Sequence, residues 1–138
     1  MAGSRSTRAT VDLLRVMLLD AAHIQEKEAE WRGRAARRGR TEERKHPEPL
    51  YTMAEAETCC KQLHAVDYDA IINPHAGVRC RFRDAGHILG AAIIEVWLEG
   101  EGGSRKVVFS GDIGPPGRPV VRDPSPVTDA DYVLIEST

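Results

Sequence analysis

From Thr10 to about Trp31 the apolar positions Val11, Leu14, Leu18 and Ala22, with Leu13, Met17 and Ile24 beside them, recur at three- and four-residue steps. That periodicity predicts an amphipathic helix, with Thr10 placed to cap its start. Thr52 and Glu55 then stand at the T-x-x-E spacing of a capping box, ahead of Ala56, Cys59, Cys60 and Leu63. A short second helix ending near His64 is expected there. Beyond it the period changes to two. Val78, Cys80 and Phe82 alternate with Arg79, Arg81 and Arg83, which predicts a strand with one buried and one wet face.

The remaining apolar runs also read as strands. Ala91 to Leu98 and Lys106 to Ser110 flank the Gly-rich Gly100 to Ser104, as in an antiparallel hairpin. Tyr132 to Ile135 is a fourth, fully apolar strand. The Pro- and Gly-rich connection from Ile113 to Asp129 should run over the surface. Two helices followed by a run of mainly antiparallel strands place the chain in the α/β class, α+β by segment order.

Between Arg32 and Glu48 the apolar pattern stops, and seven Arg and Lys stand against Glu42, Glu43 and Glu48. The stretch reads as a solvated, charged insert; such a run can also hold phosphates, but no aromatic residues are interleaved to support that. Composition adds little pull of its own. With 138 residues there is room for one domain, and 19 Lys and Arg against 21 Asp and Glu give a formal charge of −2. Any polyanion binding must therefore be local. The longest apolar stretch, Ile88 to Leu98, is interrupted by Glu95 and is far shorter than the roughly 20 residues of a membrane span. Met1 to Thr10 lacks the apolar core of a secretory signal, so a cytoplasmic protein is expected. Cys59, Cys60 and Cys80 form no C-x-x-C pair and read as reduced thiols filling the core.

Three short blocks could carry chemistry. In Asp84-Ala85-Gly86-His87-Ile88-Leu89-Gly90 the glycines let the chain turn sharply and present an imidazole, either as a ligand or as a hydrogen-bonded loop histidine. In Ser110-Gly111-Asp112-Ile113-Gly114 a carboxylate follows a strand, as a metal ligand, a general base or a simple turn residue. Glu136 ends the last strand, and alone decides nothing. His23, His46, His64 and His75 form no H-x-H or H-E-x-x-H pair, so no complete local zinc motif exists.

Taken in order, DAGHILGA, VVFSGDIG and DYVLIEST resemble consecutive blocks of the metallo-β-lactamase fold nucleases of the β-CASP group. These are RNA-processing enzymes of bacteria and archaea and the eukaryotic pre-mRNA 3′-end endonuclease. LLRVMLLDAAHIQEKEAE and the Pro49 to Thr52 junction are similar to the region preceding those blocks, so the resemblance runs from about Thr10 onward. It implies a partial αββα sandwich. It also implies that His87 is a zinc ligand, that Asp112 bridges two Zn2+ ions, and that Glu136 orients a general-acid histidine from a β-CASP domain. The implied reaction is hydrolysis of an RNA phosphodiester by a metal-bound hydroxide, with RNA as partner, no membrane, and a homo-oligomer as one arrangement of the intact protein.

The family's H-x-H-x-D-H motif, its β-CASP domain and its later metal-binding histidine have no counterpart in this sequence. The resemblance therefore implies an internal fragment, inactive alone, spanning one partial domain over residues 1–138. Other expectations remain beside it. They are a thioesterase or lactonase on the same fold, a non-catalytic RNA-processing scaffold subunit, and a metal-free α+β domain whose loops are only turns.

Overall fold

The computed structural model describes residues 3–38 and 48–137. They form two compact units, Val11–Leu63 and a second that joins Met1–Thr10 to His64–Thr138. In chain order the elements are β1 (Ser4–Thr7), α1 (Arg8–Arg37), α2 (Met53–Cys60), β2 (Leu63–Val66), β3 (Ile71–His75), β4 (Val78–Asp84), β5 (Ala92–Gly100), β6 (Gly103–Phe109) and β7 (Tyr132–Leu134). The mixed α/β class with two helices ahead of a mainly antiparallel sheet is the one the segment order predicts. The main sheet has five strands in the order β3-β4-β5-β6-β7, antiparallel except for the β6–β7 pair, and β1 pairs with β2 apart from it.

Helix α1 starts earlier than its apolar stripe suggests. Thr7, not Thr10, is the capping residue: its buried Oγ1 accepts from the Thr10 backbone N–H at 3.4 Å, three residues on. The helix also runs past Trp31 into the stretch read as a charged insert. The i,i+4 pairs Glu28–Arg32 at 3.8 Å and Glu30–Arg34 at 3.5 Å, together with Ala35 and Ala36, favour continuing it. The rest of that insert, residues 39–47 with His46, lies outside the described residues.

The capping box of α2 forms as expected. The Glu55 N–H donates to Thr52 Oγ1 at 3.3 Å, and the Thr52 N–H donates to Glu55 Oε2 at 2.8 Å. That second bond holds the Glu55 carboxyl below its ordinary range. Gln25 Oε1 and Glu26 Oε1 of α1 accept from the Leu50 and Met53 N–H groups at 3.0 and 2.9 Å, which fixes the approach to α2 within the same unit. The helix ends at Cys60, before the His64 expected from the sequence, and His64 belongs to β2. Cys59 is exposed, with Cys60 and Cys80 half-buried, so the thiols are free but Cys59 is not core filler.

In the main sheet, β5 and β6 extend to a Gly100–Gly103 pair, leaving only Glu101 and Gly102 as the turn. Strand β3 is hidden in the sequence because Asn73-Pro74-His75 looks like a turn; Pro74 is tolerated on this edge strand, where the pairing to β4 is irregular. Ala85, Ile93 and Val108 form the core, joined by Ala91 and by Val127 from the connection to β7.

The expectation of a wet arginine face on β4 needs correcting. Arg81 stands opposite Glu95, and Glu95, only 1% exposed, accepts from Arg81 Nε at 2.6 Å and from Lys106 Nζ at 2.7 Å. Lys106 reaches on to Asp129 at 3.4 Å, and Arg83 Nε pairs with Asp69 at 2.9 Å. Arg79, Arg81 and Lys106 each lie within 5.6 Å of the Trp97 ring centre. Alternation alone cannot distinguish a solvated charge from one that meets its partner across two neighbouring strands.

Candidate active site

The strand pairing brings three loops to one end of the sheet. Antiparallel pairing sets Asp84 beside Ala92 and Ile94 beside Phe109, and the parallel β6–β7 pair sets Phe109 beside Leu134. The loop 85–91, the turn after Phe109 and the end of β7 therefore emerge together. They carry His87, Asp112 and Glu136 respectively.

Two glycines let the first loop pack closely against the chain that follows Asp112. Gly86 adopts φ +63°, and a Cβ on it would lie 2.7 Å from the Pro124 nitrogen. A Cβ on Gly114 would overlap the Gly86 carbonyl, while the Gly114 N–H donates to the Ala85 carbonyl at 2.8 Å. Arg118 Nη1 adds a bond of 3.2 Å to the His87 carbonyl. Asp84, the other acid of this block, is a turn residue whose Oδ1 accepts from the Gly86 N–H at 2.9 Å. On the far side of the loop, Thr7 Oγ1 and Thr10 Oγ1 donate to the Gly90 carbonyl at 2.8 and 3.1 Å.

The consequence is a convergence of donors. His87 Nε2 lies 3.8 Å from Asp112 Oδ2. Asp112 also holds the Glu136 carboxyl above its ordinary range, by a hydrogen bond and by like charge, while His87 pulls the other way. The three side chains line a pocket of about 310 Å³ together with Ser110, Ile113 and Ile135. A larger, more apolar cavity of about 500 Å³ lies beside it, between the sheet and the 124–130 segment. Its one carboxylate, Asp129, is already engaged by Lys106.

Ser110, at the head of the second block, joins the second and third loops. It is 4% exposed; its N–H donates to the Leu134 carbonyl at 2.9 Å, its Oγ donates to the Gly111 carbonyl at 2.8 Å, and the same Oγ accepts from the Glu136 N–H at 3.1 Å. The spacing of serine and glycines around Asp112 is the signal available in the sequence, but nothing in one strand names its partner on another.

Imidazole nitrogen and carboxylate oxygen are the donor types that hydrolytic divalent cations accept, and 3.8 Å can be spanned by two ligands each about 2 Å from one ion. The donors present fit such an ion in kind. They are too few for a closed site: among the described residues no group of three or more His, Cys, Asp or Glu is arranged to hold a metal. His23, His64 and His75 are exposed on α1, β2 and β3.

The chain is similar in sequence to part of a ribonuclease. Ribonuclease TTHA0252 of Thermus thermophilus is 30% identical over 133 residues, 96% of the chain. The chain spans 25% of that relative's length. No family model matches. The chain is thus similar to part of a ribonuclease and distantly related to it. Among the described residues no helix is long and apolar enough to cross a membrane.

Proposed function

We propose that this chain supplies part of the active site of a zinc-dependent, RNA-cleaving hydrolase of the metallo-β-lactamase fold, in the β-CASP group. The observation that carries the proposal is the meeting of His87, Asp112 and Glu136 at one sheet end, in the blocks whose order suggested that family. The similarity to a ribonuclease over nearly the whole chain supports RNA as the substrate.

In this reading His87 would offer Nε2 and Asp112 its carboxylate to the metal, with further ligands coming from outside the described residues. When bound, zinc lowers the pKa of a water molecule and neutralises charge developing on the phosphodiester. The protein's task is then to hold these groups still. The Gly86–Gly114 contact keeps the imidazole and Asp112 side by side, so neither must be ordered during the reaction. Glu136, on the third loop of the same pocket, would orient a general-acid histidine supplied from beyond the described residues. Ligand binding needs a neutral imidazole and an ionised Asp112, so metal affinity falls on acidification.

The test is cleavage of a labelled RNA by the intact protein with zinc, before and after chelation. Asp112→Ala should lower the rate by at least a hundredfold, and His87→Ala should weaken metal binding. The 138-residue chain alone should be inactive. Zinc-independent cleavage, or full activity in Asp112→Ala, would overturn the proposal.

A further inference from the structure

We infer that Ser110 is the positioning residue of this site, and that its hydroxyl sets the approach of Glu136 to Asp112. The inference rests on the metal-site reading just given, but its geometry does not depend on a metal. Asp112 and Glu136 lie on separate loops after separate strands, and β7 is only three residues long. A strand that short does little to hold the residues beyond it. Ser110 supplies the missing constraint: a single buried oxygen accepts from the Glu136 N–H and donates to the Gly111 carbonyl, next to Asp112. Each loop is thereby held to the same atom.

The chemistry of the position is selective. Alanine leaves the Glu136 N–H without its partner. Valine does the same while filling the space that threonine fills, so threonine and valine differ there only in the hydroxyl. The structural bond between Ser110 N–H and Leu134 survives every one of these changes, because it belongs to the backbone. A role confined to packing would make Ser110→Thr and Ser110→Val behave alike. A positioning role separates them.

Two readouts on the intact protein decide it. Hydrogen exchange at the Glu136 amide, with no metal present, should be at least tenfold faster in Ser110→Val than in Ser110→Thr. Co2+ titration followed by visible absorption should show binding at least tenfold weaker in Ser110→Val than in Ser110→Thr. Ser110→Ala, which adds no bulk, should behave as Ser110→Val does. Equal exchange in the threonine and valine variants would overturn the inference. If the unmutated protein binds no Co2+, the metal-site reading fails, and the exchange measurement alone then decides the role of Ser110.

Discussion

Gly114 lies against Gly86 with no room between the two backbones for even one methyl group. This contact seats the Asp112 turn on the His87 loop. Gly114→Ala should destabilise the fold by about 2 kcal/mol, the usual cost of forcing extra volume into a packed site. It should also widen the 3.8 Å gap between His87 and Asp112. Urea unfolding checks the first effect and zinc titration the second; a variant matching the parent in both would show that the loops do not depend on this contact.

The buried carboxylate on β5 predicts a response to acid. Burial pushes the Glu95 carboxyl up, but the bonds from Arg81 and Lys106 outweigh it, so its pKa in the fold lies below the ordinary value. A depressed pKa stabilises the fold above the ordinary glutamate range, and that stability is lost as pH falls through the folded value. Glu95→Gln should cost about 3 kcal/mol at neutral pH, because Arg81 and Lys106 lose their shared partner. It should also flatten the fall of the unfolding midpoint on acidification. An unchanged acid profile would rule out Glu95 as its source.

Asp112 and Glu136 predict an effect of the opposite sign. In metal-free protein the Glu136 carboxyl should titrate above the ordinary glutamate value, as followed by carbon NMR of its side chain. Asp112→Asn removes the neighbouring negative charge and should bring that titration down. If Glu136 titrates alike in both proteins, the carboxyl groups do not share a hydrogen bond in solution.

The capping box gives a local stability test. Thr52→Ala removes the oxygen that accepts the Glu55 N–H and should destabilise the α2 region by about 1 kcal/mol. The Glu55 titration should move up only part of the way, because the substitution removes the hydroxyl bond to its carboxylate and leaves the larger one, from the residue 52 backbone N–H. Loss of stability without that movement would place the cost elsewhere.

How much the sequence made legible depends on the range of each interaction. The α2 cap could be read because its partners are three residues apart, and β4, β5 and β6 because alternation or an apolar run marks each strand. The start of α1 was misplaced because Thr7 and Thr10 have the same capping chemistry, and the apolar stripe begins only at Val11. Buried Glu95 could not be read as such, because its partners come from two other strands. At the candidate site, motif order pointed to His87, Asp112 and Glu136. The bonds through Ser110 and the contact through Gly114 link separate loops, and only the three-dimensional pairing reveals them.

The topology also sets an order of assembly. Strands β4, β5 and β6 form a meander whose contacts are close in sequence, so the loops carrying His87 and Asp112 can meet early in folding. Glu136 must wait for the whole 110–131 connection to close and dock β7 alongside β6. Closing that longer loop costs chain entropy before any contact repays it. By that order the imidazole and the first carboxylate would come together before the second carboxylate joins them.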